Sequence, residues 1–217
     1  MIATAQIEIS CVSIFYYDIA AYIDGTIKIP QDIRQVLSEQ EFAQAQRHVF
    51  HRGRSVALLS RYFLRLLLSS ELKVAPKLIQ LEFGEFGKPR LGGDHAGAVE
   101  FNVSHSGSSI AICTSCHPVG IDIEACAPLD DIDALCHHCM TPSEQLIIGN
   151  ESKSMKLRTF LEIWTRKEAI LKARGYGFSI SPRSISVVDT QRSACGWRVQ
   201  NIPCPPGYIA AMARPSD

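Results

Sequence analysis

Two short stretches hold the residues best equipped for chemistry. The first is Val119-Gly120-Ile121-Asp122-Ile123-Glu124, and the second is Trp164-Thr165-Arg166-Lys167-Glu168-Ala169-Ile170-Leu171-Lys172. The first reads as a strand, so Asp122 and Glu124 share one face while Ile121 and Ile123 point into the core. The second reads as a helix, with Glu168 and Lys172 four residues apart on one face and Trp164 a turn earlier. Neighbouring carboxylates repel unless a cation lies between them. Three hard oxygen ligands beside lysines suit a divalent cation holding a phosphate ester, which is chemistry of phosphoryl-type transfer. Each pair alone has a plainer explanation. Asp122 and Glu124 fit a solvated strand face, and Glu168 with Lys172 fits a surface ion pair contributing about 0.3–0.5 kcal/mol. The combination favours a site, together with the glycine-bearing Gly87-Lys88-Pro89-Arg90 loop and the donor-rich Ser104-His105.

The chain that must position these groups has 217 residues, 46% of them apolar, and a formal net charge of zero. A substantial core is within reach, and neither nucleic acid nor an anionic membrane would be drawn by bulk charge. The start, Met1 to Glu8, lacks the basic and apolar segments of a secretory signal. Val56 to Leu68 is interrupted by Arg61 and Arg65 and is too short to span a bilayer. The expectation is a cytoplasmic protein with no membrane or nucleic-acid partner and mostly reduced cysteines.

Ile7 to Tyr16 reads as a strand. Ser38-Glu39-Gln40-Glu41 is a capping box opening a helix to about His48, and Arg54 to Ser69 is strongly helical. Leu78 to Phe83 and Glu100 to Val103 read as strands, the latter running into a polar turn at Ser104 to Gly107. Ile110 to Cys113 and Val119 to Glu124 read as strands joined around Pro118. Thr141-Pro142-Ser143-Glu144 is a second capping box, with its helix running to about Ile148. Lys156 to Arg174 predicts a long helix ended by Gly175 and Gly177. Ile185 to Asp189, Trp197 to Gln200 and Tyr208 to Ala213 read as closing strands. This irregular alternation fits an α+β fold, with no short-period repeat visible.

Four motifs in order carry a resemblance. They are Gly87-Lys88-Pro89, Phe101-Asn102-Val103-Ser104-His105-Ser106-Gly107, Val119-Gly120-Ile121-Asp122-Ile123-Glu124, and Trp164-x-x-Lys167-Glu168-Ala169-x-x-Lys172. The chain resembles the 4′-phosphopantetheinyl transferases of the type that serves surfactin synthetase, over roughly Phe42 to Ala213. The resemblance implies two similar α+β halves in a pseudo-twofold arrangement, residues 1–118 and 119–217, with coenzyme A in the cleft between them. It implies transfer of the 4′-phosphopantetheine arm of coenzyme A to a serine of an apo acyl or peptidyl carrier protein by a monomer, releasing adenosine 3′,5′-bisphosphate. Asp122, Glu124 and Glu168 would hold Mg²⁺, with Mn²⁺ the alternative ion. Lys172 would meet the pyrophosphate. Arg52, Lys88, Pro89, Ser104, His105 and Lys167 would be further coenzyme contacts. Glu144 matches a candidate base for the serine proton, yet its place in a capping box accounts for it structurally. Glu124 or a metal-bound water are the other candidates. His105 could equally be an exposed turn residue, and Lys88 a solvated loop charge. Carrier recognition would come mostly from Cys136 to Lys153, with a basic surface from Lys153, Lys156 or Arg158.

A competing pattern is Cys113-x-x-Cys116 with Cys136-x-x-Cys139, spaced as in a four-cysteine zinc knuckle. It predicts a zinc-stabilised interaction module without catalysis. Cys11, Cys126, Cys195 and Cys204 show no ligand spacing and read as small apolar residues. A nucleotide phosphotransferase of another kind lacks support, since neither a P-loop nor a kinase signature is present.

Overall fold

A computed structural model describes residues 3–175, 179–188 and 196–216. Gly177, Asp189 and Cys195, which entered the sequence reading, lie outside the described residues. The first half runs through β1 (Ala5–Ile9), β2 (Val12–Asp18), two one-turn helices α1 (Ala20–Ile23) and α2 (Ile33–Val36), α3 (Glu39–Gln46) and α4 (His51–Leu72). A ribbon of β3 (Leu81–Phe83) and β4 (Pro89–Leu91) follows, then β5 (Glu100–Ser106) and β6 (Ser109–Ser115). The second half runs through β7 (Gly120–Ala125), α5 (Ile132–Cys139), α6 (Pro142–Gly149), α7 (Lys153–Arg174), β8 (Trp197–Ile202) and β9 (Tyr208–Pro215). Two antiparallel sheets result, ordered β1-β2-β6-β5 and β7-β9-β8. The fold is α+β, with two similar halves that each set helices against a sheet. No helix among the described residues is long and apolar enough to cross a membrane.

Several elements differ from the sequence reading. Ile7 to Tyr16 is a hairpin, because the chain reverses at Ser10, whose φ is +56°. Ser104 to Ser106 belong to β5, whose register with β6 continues to Ser106 opposite Ser109, and the turn is confined to Gly107 and Ser108. Ile185 to Val188 form no strand, although Ile185 and Val187 are buried. The α5 helix, opened by an Asp131 side-chain cap, was not among the expected elements.

The two halves meet along β5 and β7, and no strand ladder joins them among the described residues. Side chains take its place. Asn102 Oδ1, Ser104 Oγ and Ser106 Oγ accept hydrogen bonds from the N–H groups of Ile121, Ile123 and Ala125 at 2.9, 3.3 and 3.1 Å. Alternate residues of β5 share a face, so this spacing matches the alternate N–H groups that β7 leaves free. An apolar layer backs the seam, including Val12, Ile14, Tyr16, Ile121 and Ile123.

The halves also share a latch that the sequence hides. In the first, Glu41 closes the capping box on Ser38, and its carboxylate meets Arg65 Nε at 2.6 Å. Arg65 also donates to the carbonyls of Pro76 and Ile79. In the second, Glu144 closes the capping box on Thr141, and its carboxylate meets Lys167 Nζ at 2.6 Å. Lys167 also donates to the carbonyls of Pro182 and Ile185. Arg65 and Lys167 occupy the same position of their 22-residue helices. One device thus fixes the long helix, the short helix before it and the segment after it in both halves.

Helix α7 crosses β7 at Gly120, where a Cβ would lie 2.1 Å from the Ala169 carbonyl oxygen and 2.4 Å from the Ala173 nitrogen. These are backbone atoms that cannot turn aside. Gly120→Ala should cost about 3 kcal/mol in urea unfolding. Gly149→Ala, which meets nothing within 4 Å, should be neutral or stabilising by about 0.5–1 kcal/mol.

Candidate active site

The side chains that hold the seam also aim the carboxylates. Asp122 is 2% exposed. Its Oδ1 accepts from Ser104 Oγ at 2.9 Å and from Lys172 Nζ at 2.6 Å. Lys172 reaches Ser104 Oγ as well, at 2.8 Å. Next on the same face, Glu124 accepts from Ser106 Oγ at 2.8 Å. Glu168 comes in from α7 at 9% exposure. Lys172 therefore pairs with Asp122 and not with its own helix neighbour.

The acids are close enough to oppose one another's ionisation. Burial pushes Glu168 up to about 7, Asp122 and Glu124 add to the rise, and Lys172 opposes it. Glu124 is raised first by burial and then by Asp122, while Ser106, Lys172 and the Trp164 side chain hold it down. Two buried carboxylate oxygens of this cluster, Asp122 Oδ2 and Glu168 Oε1, have no hydrogen-bond partner, and Glu41 Oε1 in the first half is a third. Unpartnered oxygens at this depth are costly, and they are the donors that a hard cation takes. Among the described residues no three His, Cys, Asp or Glu side chains close on one point as a finished metal cage. Magnesium does not require one, since it keeps several waters and takes one or two carboxylates beside substrate phosphate.

Two hollows adjoin β5, and the second borders the acid cluster through Glu124. A polar cavity of about 330 Å³ is lined by His48, Ser60, Arg61, Pro89, Asn102 and His105, among others. An apolar cleft of about 440 Å³ is lined by Arg52, Ser106, Glu124, Leu129, Leu135, Phe160 and Trp164, among others. The larger hollow, about 500 Å³, lies between the N-terminal hairpin and Pro203 to Pro206 and touches none of the acids. Arg52 reaches across to the Gly107 carbonyl at 2.9 Å. His105 opens to solvent on one side. Crowding by the surrounding protein, then the Lys172 ammonium, keep its imidazole below the ordinary histidine pKa.

Three sequence expectations need correction. Glu144 and Lys167 do not join the cluster: both side chains are fully buried against each other. Glu144 is bonded to the helix cap, to Lys167 and to the Val187 N–H, and at 0% exposure it faces no cleft. The Lys167 ammonium is likewise committed to Glu144 and to two carbonyls. Burial depresses its pKa, and Glu144 works against that. Lys88 donates to the carbonyls of Val119 and Ala173 at 3.1 and 3.0 Å, which leaves it a third donor for a phosphate. Nor do the cysteines gather for zinc. Cys113 packs in the seam core, Cys136 packs in the core of the second half, and Cys116 is exposed. Sequence reading quoted Asn102 and Ser106 within a motif and gave them no role. The polar alternation Asn102, Ser104, Ser106 along a strand was the available signal.

A place that concentrates uncompensated carboxylates around one lysine, beside an apolar cleft, is fitted to a transferase of phosphate-linked groups. Comparison with known proteins narrows the class. Residues 30–117 match the family model "4′-phosphopantetheinyl transferase, N-terminal", and residues 118–204 match that of the 4′-phosphopantetheinyl transferase superfamily. The chain is 30% identical over 191 residues to the 4′-phosphopantetheinyl transferase HetI of Nostoc sp., covering 84% of this chain and 80% of that protein. It is 28% identical over 173 residues to the 4′-phosphopantetheinyl transferase gsp of Aneurinibacillus migulanus, covering 76% and 70%. It is 41% identical over 113 residues to the 4′-phosphopantetheinyl transferase AcpT of Salmonella typhimurium, covering 51% and 56%. The chain belongs to the 4′-phosphopantetheinyl transferase superfamily, and its activity is transfer of phosphopantetheine to carrier proteins.

Two predictions follow from the charges. With Glu168 raised from 4.5 to about 7, the folded chain keeps a proton that the unfolded chain loses as pH rises through this window. Stability is therefore present below the lower value and lost toward the upper, by up to about 3 kcal/mol. In a chelator, Glu168→Gln should melt close to wild type at pH 4.5 and above it at pH 7.5. Glu144→Gln should lower stability by about 3 kcal/mol, while leaving the pH dependence of transfer in place. A pH profile that loses its acidic limb would restore Glu144 as the base.

Proposed function

We propose that the chain takes the phosphopantetheine arm from coenzyme A, releases adenosine 3′,5′-bisphosphate, and does so with Mg²⁺ or Mn²⁺ held by Asp122, Glu124 and Glu168. The carrying observation is the pair of buried, unpartnered oxygens on Asp122 and Glu168 beside Lys172. The ion, when bound, would neutralise charge on the pyrophosphate oxygens. Lys172, only partly exposed, can turn from Asp122 to the departing phosphate. Pro89 and His105 line the polar cavity, which suits the adenosine end, and Arg52 stands at the apolar cleft.

Glu124 is the best placed acceptor for the serine proton. It lines the apolar cleft through which a carrier serine would enter. Reaction then depends on bringing the serine hydroxyl into line with the β-phosphorus. Residues of one chain supply both flanks of the cleft, so a monomer suffices. On the second half, Leu135, Leu146, Ile147 and Met155 stand exposed and offer the carrier an apolar face.

Incubation with coenzyme A, Mg²⁺ and a panel of apo carrier proteins should add the phosphopantetheine mass to a carrier, read by intact mass spectrometry. No mass gain on any carrier would overturn the reading. Asp122→Ala should lower transfer by about a hundredfold or more while retaining the folded spectrum. Near-normal turnover in that variant would remove the metal role.

A further inference from the structure

We propose that Val49 and Phe50, on the first half, form an apolar anchor for the apo carrier protein, an inference that rests on the carrier-directed activity given above. Both stand in the open, at 82% and 81% exposure, more than any other large apolar residue among those described. The segment that carries them is pinned. His48 N–H donates to the Ala45 carbonyl at 3.2 Å, and Arg54 N–H donates to the Phe50 carbonyl at 3.1 Å. The Arg54 guanidinium donates to the His48 carbonyl at 3.1 Å, and His51 Nδ1 lies 3.3 Å from the Ile23 carbonyl oxygen. The two apolar side chains are held outward by a fixed loop.

The internal repeat removes a structural explanation. The link from α3 to α4 corresponds to the link from α6 to α7, where the residues are Asn150, Glu151 and Ser152. Polar residues thus serve this position in the second half. In the first half Phe50 occupies the N-cap of α4 and makes no side-chain cap, where small polar residues are preferred. The fold does not ask for valine and phenylalanine here.

Their location supplies the occupant. Two residues beyond Phe50, Arg52 reaches Gly107, the neighbour of the Ser106 that holds Glu124. Arg52 and Glu124 line one cleft, with Leu135 of the second half on the same wall set. A serine delivered to that cleft brings the carrier surface around it onto this rim. The charge around the tip also favours a carrier with acidic residues beside an apolar one. The Arg52 and Arg54 guanidinium groups are bonded to carbonyls and take part in no ion pair among the described residues. Of the basic residues looked for on the second half, Lys156 pairs with Asp133 and Arg158 with Glu162, and Lys153 alone is in no ion pair among the described residues. Exposed aromatic and apolar anchors ringed by charge are the usual centre of binding energy at such contacts.

The test compares wild type with the double variant Val49→Ser, Phe50→Ser, using a purified apo peptidyl carrier domain and saturating coenzyme A. The expected result is a fall of about tenfold or more in kcat/KM for the carrier, with KM for coenzyme A changed less than about twofold and the melting temperature unmoved. An unchanged carrier kcat/KM overturns the proposal, as does a loss that follows KM for coenzyme A. A wild-type dimer that the variant converts to monomer, with carrier kinetics intact, would make the anchor a contact between copies and overturns it too. Wild type that modifies no carrier at all would sink the activity itself, an outcome separable from failure of the anchor alone.

Discussion

Three short polar side chains on β5 hold the molecule together where its strands do not. Asn102, Ser104 and Ser106 bond the free N–H groups of β7, and without them those donors would be buried unpaired. The same two serine hydroxyls donate to Asp122 and Glu124. Joining the halves and aiming the acids are therefore one set of hydrogen bonds. Any movement that opens the seam also takes the serine hydroxyls off Asp122 and Glu124 and Ser104 off Lys172, so the packing of the halves and the geometry of the site are linked.

The repeated latch decides between two readings of Glu144. A buried glutamate near an acid cluster invites a role as a base. Yet Glu41 stands in the same local setting in the half that carries none of the metal-site acids, with the same cap and an equivalent cation on the following helix. A feature present in both halves is explained by what both halves need, which is a fixed long helix. In the second half that helix presents Glu168 and Lys172, so Lys167 contributes to the site by holding its neighbour in place from behind.

Much of the site was legible in the sequence because its spacing is local. Alternation in a strand put Asp122 with Glu124, and the four-residue interval put Glu168 with Lys172. Convergence of the two elements was not legible from spacing, since it depends on α7 crossing β7 at a glycine. The capping boxes at Ser38 and Thr141 were legible for the same local reason. Their long-range partners were not. Arg65 and Lys167 look like surface charges in a helix until the carbonyls of Pro76, Ile79, Pro182 and Ile185 are brought to them. The internal repeat escaped notice because the cation differs between halves and the intervals to the carbonyls differ too. The zinc pattern failed for a related reason: cysteine spacing is local, whereas Cys113 and Cys136 belong to different cores.

The acid cluster is a place where the fold works against itself. Three carboxylates share one ammonium, and two of their oxygens are buried without partners. Such an arrangement loses stability on its own and regains it when positive charge arrives. The two latches lie behind it, Glu144 with both carboxylate oxygens bonded and Glu41 with Oε1 unpartnered beside the polar cavity. Their separation from the cleft matters. It lets the frame of each half stay rigid while the site between them remains short of positive charge, which is the condition under which a cation and a pyrophosphate bind together more readily than either does alone.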